Sequence, residues 1–170
     1  VTAINNALTT IDTLNQKILS LQAQGASTAD LEDQRMVALE GLAEQIDVAY
    51  FFDSSNQLKI YTSSGQPLLT SQPQFLSYDP ATSVTSQTEY PGGFGAITVG
   101  GQDITGKLQG GTLGALVELR DEALVAEQDK LDELANALSS TMNVILNEGT
   151  SYPPRSSITG DVRDFTAGDT

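Results

Sequence analysis

Apolar residues recur along the first part of the chain at alternating spacings of three and four. This spacing places them on one face of an α-helix, so we predict a first helix over about residues 1–24. Its apolar stripe consists of Ile4, Ala7, Ile11, Leu14, Ile18 and Leu21. Gly25 ends the pattern, and Ser27 or Thr28 is a suitable N-cap for a second helix over about residues 28–46. Because the connection is short, the two helices are predicted to be antiparallel neighbours.

The pattern then changes to β-branched and aromatic runs that are interrupted by turn residues. The segment VAYFFDSSNQLKIYTSSGQPLLT predicts a β-hairpin followed by a short third strand. Residues 72–95 are rich in Ser, Thr, Pro and Gly, which is typical of a surface loop or irregular strands. The later segment FGAITVGG predicts one further strand. Together these segments predict a β meander over about residues 47–105.

A third and longer helix is predicted over about residues 112–148. Its apolar positions include every seventh residue, and the stripe consists of Leu113, Val117, Ala123, Leu124, Leu131, Leu134, Ala135, Leu138, Met142 and Ile145. At 1.5 Å per residue the helix is roughly 50 Å long, so only other long helices can bury the stripe. A bundle within the chain is predicted, while self-association as a coiled coil remains an alternative. Because this helix is longer than the other two, we expect part of its stripe to be left for a helix outside the three.

The predicted fold class is therefore α+β, mainly α. It is an elongated bundle of three long helices, an antiparallel hairpin plus one long helix, with a small β hairpin or meander inserted between the second and third. We expect residues 1–150 to form one rod domain and residues 151–170 to be a tail or linker. Because Val1 already lies within a helical pattern, we also expect the sequence to be part of a longer chain.

Composition excludes several classes of function. Eight Lys and Arg residues against 22 Asp and Glu residues give a formal net charge of −14, which repels nucleic acid and anionic lipid. No run of apolar residues approaches the roughly 18 needed to cross a bilayer, so we expect no membrane partner. Cysteine and histidine are absent, which removes thiolate chemistry and the commonest general base and metal ligand. We therefore predict a protein that is not an enzyme and holds no cofactor or metal.

The strongest hint of enzymatic chemistry is the segment GQDITGK at residues 101–107. It has the glycine and lysine spacing of a phosphate-binding loop, but Leu108 stands where Ser or Thr would hold magnesium. Asp103 would also place a negative charge among the phosphates. Turn glycines before a helix explain the segment better. Adjacent acid pairs such as Asp121 and Glu122 diverge on a helix and are interpreted as solvated surface.

Three segments, in this order, resemble the family of flagellar hook-associated protein 1. They are INNALTTIDTLNQKILSLQ, ADLEDQRMVALEGLAEQIDVAYFFDSSNQLKIYTSSGQPLL and TGKLQGGTLGALVELRDEALVAEQDKLDELANALSSTMNVILNEG, and the resemblance covers about residues 1–150. Val125 departs from the family, which commonly has proline soon after the Arg-Asp pair. The motif residues, which are also the interaction candidates, are Asp33, Gln34, Arg35, Gly110, Gly111, Gly114, Arg120, Asp121, Asp132 and Asn143.

The resemblance implies a structural subunit that is exported through the flagellar secretion channel and assembles outside the cell as a ring joining hook to filament. The implied partners are the flagellar hook protein, the second hook-filament junction protein, neighbouring copies of the chain and an export chaperone. In this family the extreme terminal helices build the inner tube. Both are expected to be absent from these residues, so we expect this stretch to be monomeric. Another secreted axial or coiled-coil interaction protein, such as a hook, cap or adhesin component, remains the alternative.

Arg35 and Arg120 are two basic residues in otherwise acidic helices. One interpretation makes them surface or intrahelical pairs with nearby acids, such as Glu32 for Arg35, worth about 0.3–0.5 kcal/mol each. The other holds that they join their helices to the β-hairpin or to the next subunit through bidentate carboxylate contacts.

Overall fold

A computed structural model of the chain describes residues 1–85 and 88–148, so the predicted tail at residues 151–170 lies outside the described residues. Helix α1 spans Thr2–Ala23 and helix α2 spans Ala29–Gln45. The two helices pack against each other across a short turn, in which Gly25 has a φ of 68°. The predicted helical hairpin is therefore confirmed.

A first antiparallel sheet follows α2. It consists of β1 (Val48–Phe52), β2 (Leu58–Thr62) and β3 (Pro67–Leu69), in the order β1-β2-β3. The predicted hairpin and third strand are thus confirmed. The alternating burial along β2 shows that one face of this sheet covers the core and the other is more exposed.

A second antiparallel sheet consists of β4 (Leu76–Tyr78), β5 (Ile97–Val99) and β6 (Gln102–Asp103), in the order β4-β5-β6. The prediction of a single meander is therefore wrong. Strand β4 lies within the segment that the composition assigned to loop or irregular strands, and it pairs with β5 across a long intervening segment. Such a pairing depends on distant residues, so a local pattern does not reveal it.

One hydrophobic core joins the helical hairpin to both sheets. Its members are Ile4, Leu8 and Ile11 from α1, Leu39, Leu42 and Ile46 from α2 and its end, and Leu58, Ile60, Leu68, Leu69, Leu76, Ile97, Val99 and Ile104 from the strands and the turn after them. Fully burying each of these side chains contributes about 1.5–3 kcal/mol. The helical hairpin thus uses its apolar face to bury the two sheets.

Two asparagines on α1 fix its position against both sheets. Asn5 exchanges two hydrogen bonds with the backbone of Leu76, each of 2.9 Å, and Asn15 does the same with Leu58 at 3.0 Å. Each side-chain amide therefore takes the place of a neighbouring strand residue, which satisfies backbone groups where the ladder stops.

The third helical region runs from Gly111 to Glu148. It consists of α3 (Gly111–Glu118), a π-helical segment (Leu119–Ala123) and α4 (Leu124–Glu148), and a short 3₁₀ turn (Thr105–Lys107) precedes it. The long helix is confirmed, but the three-helix bundle is wrong. Only the start of this region packs on the core, through Leu113 and Val117. The two sheets occupy the apolar face of the helical hairpin that the bundle would have used.

Candidate assembly interface

Helix α4 presents an apolar stripe that the described part of the chain leaves uncovered. The heptad positions Leu124, Leu131, Leu138 and Ile145 are 59%, 60%, 61% and 57% exposed, and Leu134 and Met142 are also more than half exposed. Between Leu124 and Ile145 the helix rises by about 30 Å. Exposed apolar surface of this extent marks an interaction site in soluble proteins. The sequence predicted that part of the stripe would remain uncovered, and in the structure this part extends along nearly the whole of α4.

The surface beside this stripe is acidic. Asp132 is exposed and accepts a hydrogen bond of 3.0 Å from Gln128, while Lys130 is paired with Glu127 at 2.7 Å. Both groups of that ion pair are exposed, so the pair contributes little to stability. Asn143 lies on the same helix and is half-buried.

Glycines allow α3 to begin directly against the end of α2. Gly110 and Gly111 have φ values of 93° and 65°, a conformation that residues with a side chain rarely adopt. A Cβ on Gly111 would lie 2.7 Å from the backbone nitrogen of Ile46, and Gly114 is buried. Thr112 also donates to the backbone oxygen of Glu44 at 3.0 Å. These contacts explain why the motif requires glycine at this crossing.

Arg120, in the π-helical segment, joins the long helix to the loop before β5. Its guanidinium donates to both carboxylate oxygens of Asp121, at 2.6 and 2.8 Å, and to the backbone oxygen of Gly95 at 3.3 Å. It also lies 5.0 Å from the ring centre of Phe94 and 5.5 Å from that of Tyr90. Hydrogen bonding by Asp121 raises the pKa of Arg120. The bidentate contact is therefore intrahelical, and the same cation holds the loop.

Arg35 is a buried cation at the centre of a polar network between α1, α2 and the β1–β2 turn. Its side chain is 2% exposed, and Nη1 donates to Asn15 Oδ1 at 2.9 Å and to the backbone oxygen of Asn56 at 2.6 Å. The guanidinium lies 4.9 Å from the ring centre of Phe52. Burial lowers the pKa of Arg35, with nearby Glu32 opposing the shift, but an arginine remains charged at neutral pH.

The network continues to the start of α2. Asn56, which has a φ of 56°, donates to Glu32 Oε1 at 3.0 Å, and Thr28 donates to the same oxygen at 2.7 Å. Arg35 thus makes the hairpin contact of the second interpretation, although amide and carbonyl oxygens replace the carboxylate. Asn5, Asn15 and Asn56 were not among the sequence candidates; a polar residue on the apolar face of a helix was the signal for Asn15.

The candidate residues lie in separate places. Asp33 and Gln34 are exposed on α2 beside the buried Arg35, and the glycines lie at the other end of that helix. Asp132 and Asn143 lie far along α4. The structure therefore brings together Arg35 with Asn15 and Asn56, and Arg120 with Asp121, but it does not gather the candidates into one site.

The segment GQDITGK forms the end of the second sheet and the 3₁₀ turn. Asp103 accepts a hydrogen bond of 2.8 Å from the backbone nitrogen of Thr105, and its carboxylate also accepts one from the hydroxyl of Tyr90. This bond to Tyr90 lowers the pKa of Asp103 and raises that of Tyr90. The segment is thus a turn whose aspartate is already engaged.

A depression of about 590 Å³ lies beside this turn, and its lining includes Glu118, Asp121 and Glu122. Among residues 1–85 and 88–148 there is no group of His, Cys, Asp or Glu side chains placed to hold a metal ion. In the same residues no helix is long and apolar enough to cross a membrane.

Comparison with known proteins identifies the family. The family described as flagellar hook-associated protein FlgK helical domain matches residues 1–156. Among solved structures, the flagellar hook junction protein FlgK from Burkholderia pseudomallei is similar, with a TM-score of 0.55 and 25% sequence identity. The similarity covers 84% of this chain and 27% of that chain, so this chain spans about a quarter of the relative's length. No curated protein matches. Because the family match covers most of the sequence, the chain belongs to the family of flagellar hook-associated protein FlgK and contains its helical domain.

Proposed function

We propose that this chain is part of a structural subunit that joins the flagellar hook to the filament, and that it acts by assembly rather than by catalysis. The observation that carries the proposal is the exposed apolar stripe of α4. A helix face of this length is stable in water mainly when another helix covers it. Membership of the hook-associated family supports the flagellar junction as the place where this happens.

The body of the domain serves, in this proposal, as a rigid mount for α4. The buried Arg35 network holds α2 to the β1–β2 turn, and Gly111 allows α3 to start against the end of α2. The direction in which α4 leaves the body is then set by contacts at its base. In a ring, the same contact is repeated in every copy, so modest individual contacts combine into a strong attachment.

The proposed partners are the hook protein, the second hook-filament junction protein, neighbouring copies and an export chaperone. The proposed location is outside the cell, in the flagellum, after export through the flagellar secretion channel. The absence of cysteine supports this route, because a chain that is exported unfolded gains nothing from disulfides. The net charge of −14 makes copies of this stretch repel one another, so we expect it to be monomeric without its partners.

The test uses the full-length protein and purified hooks. Leu131→Lys combined with Leu138→Lys places two charges on the stripe at positions that are already 60% and 61% exposed, so the fold should be retained. Cosedimentation with hooks should weaken by at least about tenfold, because charges are excluded from a helix–helix seam. Val37→Lys is the matched control, since Val37 is 68% exposed but lies on α2.

Circular dichroism should show the same helix content in all three proteins, and light scattering should show that the 170-residue chain is a monomer. The proposal is wrong if the unaltered full-length protein ignores hooks. It is also wrong if the double variant binds hooks as tightly as the Val37→Lys control. Self-assembly of the full-length protein into filaments without hooks would instead favour another axial protein of the flagellum.

A further inference from the structure

We propose that the free edge of strand β1 is a binding site for an extended strand of another protein, and that this strand carries basic residues at its ends. The proposal goes beyond the junction role and does not depend on it. It concerns the first sheet, whereas the junction role rests on α4.

Within residues 1–85 and 88–148, strand β1 has one unpaired side. The strand order β1-β2-β3 places it at the edge of the sheet. A backbone hydrogen bond lies at each end of its pairing with β2. The N–H of Ser63 donates to the C=O of Asp47 at 3.3 Å, and the N–H of Asp53 donates to the C=O of Gln57 at 3.0 Å. In an antiparallel pair, hydrogen-bonded and non-hydrogen-bonded positions alternate. These two hydrogen bonds therefore determine which backbone groups of β1 bond to β2.

The outward-facing backbone groups belong to alternate residues of β1. The backbone of Asp47 bonds to the strand partner, so by alternation Ala49 and Phe51 also bond to β2. The N–H and C=O groups of Val48, Tyr50 and Phe52 therefore point away from β2. No hydrogen bond from another part of the described chain reaches these groups. They form a row of donors and acceptors of the kind that an added strand pairs with.

Aromatic rings border this row on both faces of the sheet. Tyr50 and Phe52, 48% and 43% exposed, share one face, with ring centres 6.3 Å apart. Phe51, 52% exposed, lies on the other face and stacks on Tyr61 at 6.0 Å. Natural edge strands are usually protected from pairing by charged residues or proline, and β1 contains neither. An added strand would bury these rings as well as satisfy the backbone.

The edge is also held in place before any partner arrives. Arg35 lies against the ring of Phe52 and donates to Asn56 in the turn that follows β1. A preformed edge loses little conformational entropy on binding, which favours affinity.

The charges at the two ends of β1 indicate the chemistry of the partner. Asp47 precedes the strand and is exposed, and Asp53 follows it and is paired with Lys59 at 3.3 Å. If two copies paired antiparallel about Tyr50, each Asp47 would lie opposite the Asp53 of the other copy. Like charges directly opposite destabilise a strand pair. A strand with Lys or Arg at its ends is favoured instead, most strongly at the end that meets Asp47, because Lys59 already offsets part of the charge of Asp53.

The probe is a short synthetic peptide of alternating valine and threonine with lysine at both ends, added to the 170-residue chain. Amide hydrogen exchange should slow at Val48, Tyr50 and Phe52, whereas Ala49 and Phe51, already bonded to β2, should change little. The same peptide with glutamate at both ends should bind about tenfold more weakly, because its ends meet Asp47 and Asp53.

Two variants and a control separate binding from folding. Tyr50→Pro removes an outward N–H without breaking the β1–β2 ladder and should weaken binding of the lysine-ended peptide by about tenfold. Asp47→Lys should abolish the preference for the lysine-ended peptide, because one end of β1 is then positive while Asp53 remains at the other. Phe75→Ala removes an aromatic ring that is 51% exposed outside the first sheet, and it should bind the peptide as the unaltered chain does.

The proposal is overturned if the lysine-ended peptide does not protect the three outward amides, or if both peptides bind equally. It is also overturned if these amides become protected at high protein concentration without peptide, because a second copy would then be the occupant. None of these three outcomes changes the expected binding of the full-length protein to hooks, so the two proposals fail separately.

Discussion

Replacing Arg35 with alanine tests whether the buried polar network holds the domain together. Arg35→Ala leaves the backbone oxygen of Asn56 without its 2.6 Å donor, which costs about 1–3 kcal/mol if the oxygen stays buried. Asn15 Oδ1 is not orphaned, because the backbone nitrogen of Leu58 still donates to it. Loss of the cation over Phe52 adds about 0.5–2 kcal/mol.

Two further effects act in opposite directions on this estimate. The missing side chain leaves a void in a site where Arg35 was 2% exposed, which destabilises the fold. Removing a buried charge relieves its desolvation, which stabilises the fold. We expect the net decrease in the free energy of unfolding to be about 3 kcal/mol. Arg35→Met fills most of the void but still leaves the oxygen of Asn56 without a donor and removes the cation from Phe52, so it should cost less than Arg35→Ala, about 2 kcal/mol.

The measurement is urea unfolding followed by circular dichroism. The three variants are compared by their free energies of unfolding, and the comparison requires that their m-values agree. Lys17→Ala is the control, because Lys17 is exposed on α1 and its loss should change the free energy by less than about 0.5 kcal/mol. If Arg35→Ala cannot be distinguished from Lys17→Ala, the network does not stabilise the domain. If Arg35→Met is as stable as the unaltered chain, the loss in Arg35→Ala comes from the void and not from the hydrogen bonds and the cation of the network.

Three other predictions concern the start of α3, the Tyr90–Asp103 pair and the shape of the molecule. Gly111→Ala forces a Cβ to within 2.7 Å of the end of α2 at a φ of 65°, so the free energy of unfolding should fall by about 2 kcal/mol or more. Gly41 lies within α2, and a Cβ there would meet open space, so Gly41→Ala should raise the free energy of unfolding by about 0.5–1 kcal/mol. If urea unfolding shows equal effects for the two substitutions, the close approach at Gly111 is contradicted. The pKa of Asp103 is lowered by its bond from Tyr90, so its contribution is present above its unfolded pKa of about 4 and is lost as the pH falls through the lower folded value. In Tyr90→Phe the melting temperature should therefore fall less steeply below about pH 4 than it does in the unaltered chain. Parallel curves of melting temperature against pH for the two proteins would refute this. Small-angle scattering should give a radius of gyration clearly above the roughly 15 Å expected for a compact globule of this length, and a value at that figure would rule out a projecting α4.

The sequence alone determined the helices and their apolar faces. The stripe of α1 and the heptad positions of α4 follow from spacings within a few turns, and the helices run over Thr2–Ala23, Ala29–Gln45 and Gly111–Glu148. The β1–β2 hairpin was also predictable, because its turn residues and β-branched runs adjoin in the sequence. Each of these elements is specified by residues close to one another along the chain.

The tertiary structure decided which surfaces these elements bury. The seven-residue spacing of α4 shows that it has an apolar face, but the same spacing suits a partner within the chain, in another copy or in another protein. The helical hairpin instead buries both sheets, including the pairing of β4 with β5, whose residues are far apart in the sequence. α4 is therefore left exposed.

Arg35 shows the same limit for a single residue. Its neighbours in the sequence are acids, which predicts an exposed ion pair, yet Asn15 and Asn56 meet it only after α1, α2 and the β1–β2 turn have packed together. Local spacing determines the conformation of a segment because backbone hydrogen bonds and side-chain periodicity are short-range. Burial and partner choice depend on which distant surfaces exclude water together, and only the folded chain decides that.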